Sequence, residues 1–374
     1  MKPSIFEMII VLISSFLVSY LLYPKIISVV SFKKLMDKPN DRSSHSTATP
    51  SLGGIAFFIV LILSFYFLEP FDTYNTISSL IPGLTILFII GLKDDLVVIS
   101  PVTKLGAEIL AATFLVLHPS FEIENLHGFF GLYEINKTVS IVLSVFIIVV
   151  IINSFNLIDG IDGLAATVGT VVFTSFGIIF YTTELFLLFG ICLIMIGSLT
   201  AFLRFNVSHS KKIFMGDTGS LIIGFIMGVL VIRFLALADE KILLLPFKPD
   251  NYPYIILSIL IVPLFDTARV FTIRIMNKRG PFSPDRNHIH HLLIDFLHLS
   301  HIKASMFLGV FNLLFILSFF YLSIYFNQIV LFISSLFAII LLVYFFFFIN
   351  KNINATKVKS KIKSRLNNKL SNFF

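Results

Sequence analysis

The stretch Thr138-Val-Ser-Ile-Val-Leu-Ser-Val-Phe-Ile-Ile-Val-Val-Ile-Ile152 runs directly into Asn153-Ser-Phe-Asn156-Leu-Ile-Asp159-Gly-Ile-Asp162-Gly163-Leu-Ala. Its first half is apolar enough for a membrane helix, and its second half carries polar side chains at every third position. If the helix continues, Asn153, Asn156, Asp159 and Asp162 each neighbour the next on one surface, while Phe155, Leu157, Ile158 and Ile161 keep the rest membrane-compatible. A carboxylate at the bilayer centre costs roughly 2.5–3.5 kcal/mol, so acids beside hydrocarbon point to a task. The stripe is therefore a candidate piece of an active site, the alternative being polar residues that satisfy one another between helices.

The rest of the chain extends the pattern. Hydrophobic residues make up 57% of the 374 and charged ones 13%, which places the chain among polytopic membrane proteins. The apolar segments are continuous and do not alternate over about ten residues, which excludes a β-barrel. The expectation is an all-α membrane helix bundle of about eleven transmembrane helices, each taking about 20 residues. They fall at 4–24, 52–68, 77–92, 104–118, 138–152, 163–181, 184–203, 218–237, 253–274, 304–325 and 327–349. Residues 1–350 form a single integral-membrane domain and 351–374 a basic tail, either an amphipathic helix on the inner leaflet or a disordered segment.

A net charge of +7 in a soluble protein would suggest nucleic acid. Here lysine and arginine gather in the connections 25–51, 93–103, 153–162, 204–217 and 275–303 and in the tail, so the partner is the lipid bilayer and no nucleic acid is expected. The positive-inside rule makes those connections cytoplasmic, with the N-terminus outside and the C-terminus inside. The opposite loop 119–137, with Glu122, Glu124 and Glu134, reads as a connection. Cys192 is the only cysteine, which leaves no internal disulfide or thiolate metal cluster. Residues 5–23 lack a clear cleavage site and read as a retained first span.

Four further clusters fall on the same predicted face. Asp37-Lys-Pro-Asn-Asp-Arg42-Ser-Ser-His45 suits phosphate contact or an ordinary positive-inside connector. Asp94-Asp95, flanked by Lys93 and Lys104, suits divalent metal with phosphate, or one acid as base and its neighbour as support. Phe214-Met-Gly-Asp217-Thr-Gly-Ser220 puts a carboxylate between glycines at a helix start, where backbone amides can also hold phosphate; Phe214 could cover a base or simply pack. Arg286-Asn-His288-Ile-His290-His291 suits hydrogen bonding to phosphate or sugar oxygens better than zinc, because no thiolate accompanies it. The asparagine and aspartate oxygens are hard donors that suit magnesium or manganese.

These motifs, in this order from Asp37 to His291, resemble the polyprenyl-phosphate N-acetylhexosamine-1-phosphate transferases of glycosyltransferase family 4. The resemblance implies transfer of a sugar 1-phosphate from a UDP-N-acetylhexosamine to undecaprenyl phosphate, with release of UMP, at the cytoplasmic face of a bacterial inner membrane. It implies Mg2+, with Mn2+ as a substitute, on Asp217 and Asn156. Asp94 is the candidate base with Asp95 beside it, and Lys104 binds phosphate. Phe214 and Asp162 would meet uracil, and Arg286, His288, His290 and His291 would meet the sugar and diphosphate. Asn153, Asp159, Arg42 and His45 complete the substrate-binding set, and a homodimer is compatible with the family.

Two departures from the family pattern refine this. The segment Asn206 to Phe214 is one residue longer and more basic than usual, and the His-Ile-His-His loop lacks the consecutive triplet expected of phospho-MurNAc-pentapeptide transferases. The first bears on the shape of the nucleotide loop; the second favours GlcNAc-1-phosphate transfer for a surface polysaccharide such as O-antigen or teichoic acid. The rivals are peptidoglycan phospho-MurNAc-pentapeptide transfer, a CDP-alcohol phosphotransferase and a secondary transporter; the chain shows no internal repeat of the transporter kind.

Overall fold

The computed structural model describes residues 2–37, 49–280 and 288–371, with side chains through Lys351 apart from Asp37, Asp239 and Asn350. Arg42, His45 and Arg286 lie outside the described residues.

Each expected span falls on helix. In order these are α1 (Ile5–Phe32), α2 (Gly54–Leu68), α3 (Thr76–Leu96), α4 (Pro101–Val116), α5 (Lys137–Ile158), α6 (Leu164–Thr182), α7 (Phe186–Asn206) and α8 (Gly216–Leu235). After a single turn, α9 (Asp239–Ile242), follow α10 (Tyr252–Ile259), α11 (Ile261–Met276), α12 (Ile289–Leu297), α13 (His301–Tyr325) and α14 (Gln328–Ser371). Short hairpins, β1 (Met36–Asp37) with β2 (Thr49–Pro50) and β3 (Asn125–Phe129) with β4 (Leu132–Glu134), close two of the connections. The chain is thus an all-α polytopic membrane bundle.

The core is arranged around α8, whose side chains from Thr218 to Leu235 are all buried. It packs chiefly on α5 and α3, while α1 and α14 lie at the periphery with most of their apolar side chains exposed. Apolar exposure on that scale matches a hydrocarbon surround.

The structure differs from the sequence expectation in four places. Among the described residues, nine helices are long and apolar enough to cross a membrane. The segment expected as one span at 253–274 is two helices, α10 and α11, bent by 72°; Pro263, near the break, lacks an amide to continue the ladder. At 16 residues, α4 spans about 24 Å, short of a hydrocarbon core of about 30 Å. The stripe also splits: α5 ends at Ile158, Asp159 caps it, and Gly163 takes a φ of +83°. Only Asn153 and Asn156 stand on the helix, and Asp159 and Asp162 belong to a turn. The helix beginning at Gln328 runs through Ser371, in keeping with the helical one of the two readings given for the tail.

Candidate active site

The centre of the site is the start of α8. Gly216 has a φ of +72°, and a Cβ there would lie 2.2 Å from the Ser51 carbonyl oxygen and 2.6 Å from the Asp95 carboxylate. Only glycine suits both the backbone and the space. Asp95, in the last turn of α3, accepts from the Asp217 amide at 2.7 Å, the Thr218 amide at 3.0 Å and the Thr218 hydroxyl. It acts as the N-terminal cap of α8 from a neighbouring helix, where the helix dipole also favours a negative charge. The segment before α2 docks on the other side: Gly53 donates to the Phe214 carbonyl at 3.0 Å, Gly54 to that of Met215 at 2.8 Å, and Phe214 to that of Pro50 at 2.7 Å.

Held this way, Asp217 meets Lys104 from α4 and Asn156 from α5. The Lys104 ammonium lies 3.0 Å from Asp217 Oδ2, 3.4 Å from Asp94 Oδ2 and 3.4 Å from Asn156 Oδ1. Asn156 donates to Asp217 Oδ1 and, at 2.7 Å, to the Ser220 hydroxyl. Asp94 Oδ1 accepts from the Ile99 amide at 2.9 Å, which fixes its orientation. Three hard oxygens from three elements therefore converge on one cation, and Asp217 is more open than Asp94 or Lys104, with 31% of its side chain exposed. Asn153 faces away from this centre, donating to Glu108 and to the Val149 carbonyl.

The donor set also bears on a metal. The described residues contain no group of three or more His, Cys, Asp or Glu side chains placed to hold an ion. The arrangement instead suits a small hard cation that takes one or two carboxylate or amide oxygens and completes its shell with water and substrate phosphate, as magnesium does.

A second cluster adjoins the first. Asp162 Oδ2 pairs with the Lys212 ammonium at 2.7 Å and with His301 Nδ1 at 3.3 Å, and its carbonyl accepts from Ser305 at 2.8 Å. Burial alone would raise this carboxyl, but hydrogen bonds from His301 and Lys212 outweigh it and hold Asp162 below the usual range. Lys212 lies over the Phe214 ring at 5.2 Å. Asn206 stitches the loops together, accepting from the Gly163 amide at 2.6 Å and donating to the Ile213 carbonyl at 2.9 Å. Asp159 shifts the opposite way. It is partly exposed, yet the atoms packed around it push its carboxyl up to about 7, with Asp217, Asp95 and Asp162 adding to the effect. Two acids three residues apart are thus separated in acidity, an arrangement that suits different roles.

The histidines come third. His288 sits against Asp266 of α11, which is fully buried. His290 is 1% exposed, and a Cβ on Gly160 would fall 2.4 Å from its Nε2, so the histidine helix α12 rests directly on the turn after Asp159. Burial, with His291, His288 and His301 around it, holds the His290 imidazole well below its ordinary pKa.

The structure therefore gathers Asp94, Asp95, Lys104, Asn156 and Asp217 into one centre, with Asp162 and Phe214 beside it. Gly160 and His290 bring α12 onto the turn that carries Asp159. Sequence reasoning missed Glu108, Lys212, Asp266 and His301 as site residues. Glu108 and Asp266 are acids inside apolar helices, and that isolation was the available signal.

Comparison with known proteins finds relatives of one kind. The model of "Glycosyl transferase family 4" matches residues 77–235. An undecaprenyl-phosphate alpha-N-acetylglucosaminyl 1-phosphate transferase of Haemophilus influenzae is 31% identical over 265 residues, 70% of this chain and 72% of that protein. One of the same name from Pasteurella multocida is 32% identical, covering 70% and 71%. A probable undecaprenyl-phosphate N-acetylglucosaminyl 1-phosphate transferase of Bacillus subtilis is 29% identical over 289 residues, 76% of each.

Proposed function

The chain belongs to glycosyl transferase family 4, and from that membership we propose that it transfers N-acetylglucosamine 1-phosphate from UDP-N-acetylglucosamine to undecaprenyl phosphate, releasing UMP, at the cytoplasmic face of a bacterial inner membrane. The product would open the assembly of a surface polysaccharide. The observation that carries this reading is the seating of the Lys104 ammonium among Asp94, Asn156 and Asp217, a centre of alternating charge suited to two phosphate groups.

In the reaction an oxygen of the acceptor phosphate attacks the β-phosphorus of the UDP-sugar. A new P–O–P bond forms, the bond from that phosphorus to the bridging oxygen breaks, and UMP leaves with the oxygen. Such transfers rest on positioning and charge neutralisation. Lys104 is placed to move from its carboxylate partners onto the phosphates. Asp94 is placed to take the proton of a monoprotonated acceptor phosphate and to aim its oxygen, and Asp95 fixes Asp217 through its amide. Asp217 and Asn156 would hold magnesium, which would supply neutralisation of the diphosphate charge, and manganese would suit the same oxygens. Phe214 offers a ring face to the uracil, with Asp162 beside it as hydrogen-bond partner, while His288 and His291 reach the sugar diphosphate.

The acceptor's long apolar tail has a matching surface. A cavity of about 270 Å³ lined by Val262, Phe265, Ile289, Phe307, Leu308 and Phe346 opens where α11, α12, α13 and α14 meet. Its lining is entirely apolar, and Ile289 adjoins His288, so the cavity begins beside the polar site.

The test is to incubate purified protein with undecaprenyl phosphate and, separately, UDP-GlcNAc, UDP-GalNAc and UDP-MurNAc-pentapeptide. The expected result is UMP and a lipid-linked diphosphate sugar from UDP-GlcNAc, lost in Asp217→Ala. A preference for the pentapeptide donor, or no UMP from any donor, refutes the proposal.

A further inference from the structure

Arg233 lies on α8 sixteen residues beyond Asp217, about 24 Å away at a helical rise of 1.5 Å per residue. It is therefore at the end of the bundle remote from the site described above. The guanidinium donates to the Ser120 carbonyl and lies over the rings of Tyr74 at 5.8 Å and Phe121 at 5.7 Å. Arg233 is more than nine-tenths buried, and its Nε has no hydrogen-bond partner among the described residues. The nearby acids are otherwise occupied: Asp72 accepts from the Thr76 and Ile77 amides at 2.7 and 2.8 Å, and Glu184 pairs with Lys241 at 3.5 Å. A buried cation without its own carboxylate is costly, and in a membrane protein it marks a place where an anion arrives.

Two adjoining cavities supply the space. One, of about 280 Å³, is lined by Arg233 together with Lys2, Asp72, Thr73, Tyr74 and Glu184. The other, of about 740 Å³, runs between α1, α6 and α7 along Ile5, Ile9, Leu12, Ile178 and Leu193, and Lys2 lines it as well. The first mixes apolar side chains with two cations and two acids, the second is an apolar groove, and they meet at one lysine.

We propose that these cavities form a single phospholipid site, with the phosphodiester on Arg233 and Lys2 and an acyl chain along the groove. Charge complementarity selects the phosphate, since a guanidinium binds oxyanions through paired donors. Glu184, half exposed and held by Lys241 only at 3.5 Å, keeps lone pairs for a head group that ends in an ammonium, as phosphatidylethanolamine does. The site does not depend on the transferase reading.

The test titrates the full-length protein in detergent with dioctanoyl phosphatidylethanolamine, and with its two halves: phosphoethanolamine, which lacks the chains, and dioctanoylglycerol, which lacks the phosphate. Thermophoresis reads the affinities. The whole lipid is expected to bind saturably and far more tightly than either half, and Arg233→Met is expected to weaken it about ten- to hundredfold, the range for losing a charge-assisted hydrogen bond. Ile178→Trp fills the groove at a side chain that is 60% exposed; it should weaken the whole lipid while UMP release stays unchanged. Equal lipid affinity in Arg233→Met, even with a lowered melting temperature, makes Arg233 a structural pin and overturns the proposal. Phosphoethanolamine binding as tightly as the lipid makes this a free-anion site and also overturns it, as does equal binding of dioctanoylglycerol. Where Arg233→Met fails to fold, Ile178→Trp and the half-probes decide alone.

Discussion

His288 Nδ1 lies 2.8 Å from Asp266 Oδ2, and the other oxygen of the same carboxylate accepts from the Ile289 amide at 2.9 Å. One buried acid on α11 therefore sets both the start of α12 and the orientation of the histidine ring that caps it. With Nδ1–H donating to Asp266, Nε2 is the nitrogen left to face a substrate oxygen.

Asp266→Asn keeps the shape and removes the charge that selects this tautomer. The expected outcome is a drop of about ten- to hundredfold in kcat for UMP release, as when the orienting partner of a working histidine is lost. Gel filtration should show an intact fold. Asp266→Ala should in addition lower the melting temperature, because the Ile289 amide loses its acceptor at a cost of about 1–3 kcal/mol. Full activity in Asp266→Asn would remove the orienting role.

Lys104 neutralises the centre, so Lys104→Met should reduce kcat by about a hundred- to thousandfold, the range for deleting one preorganised stabilising group. The variant should still fold, because the cap of α8 is made by Asp95 and does not involve the lysine. Steady-state UMP release, with circular dichroism as the control, checks both statements.

Chelation of divalent ions should abolish UMP release, and magnesium or manganese should restore it. Asp217→Asn should raise the magnesium concentration needed for half-maximal rate by at least about tenfold, because the ion then loses its one charged protein ligand. An unchanged magnesium requirement in that variant moves the ion elsewhere.

The buried His290 gives the protein an acid limit. Its folded-state pKa is lowered by burial and by His291, His288 and His301, while in the unfolded chain it is about 6.5. Below about pH 6.5 the unfolded state binds a proton that the folded state resists, so stability falls as pH drops. The melting temperature should decline between pH 7 and pH 5, and His290→Leu should flatten that decline. A slope identical in the variant would assign it to other groups.

Two glycines separate backbone need from mere tolerance. Gly216→Ala meets the Ser51 carbonyl and the Asp95 carboxylate at a positive φ, and should cost about 1–2 kcal/mol from backbone alone as well as most of the activity. Gly106, with nothing within 4 Å of an added Cβ on a helical backbone, should accept alanine with a gain of about 0.5–1 kcal/mol. Thermal unfolding of the two variants should therefore move in opposite directions.

The amino-acid sequence alone determined the membrane bundle, because hydrocarbon demands about 20 consecutive apolar residues and the chain repeats that pattern from end to end. It also named the centre: Asp94, Asn156 and Asp217 are conspicuous because acids and amides at the ends of apolar runs are costly without a task. The tertiary structure decided what each of them does. That Asp95 is an anchor for α8 and Asp94 a partner of Lys104 depends on contacts between residues ten to more than a hundred positions apart, which local patterning does not encode. The same holds for the breaks. The polar stripe looked continuous at helical spacing, but Gly163 turns the chain and hands Asp162 to Lys212 and His301. Glu108 and Asp266 became legible only once Asn153 and His288 were seen against them, since a lone buried acid is explained by the partner that packing brings to it.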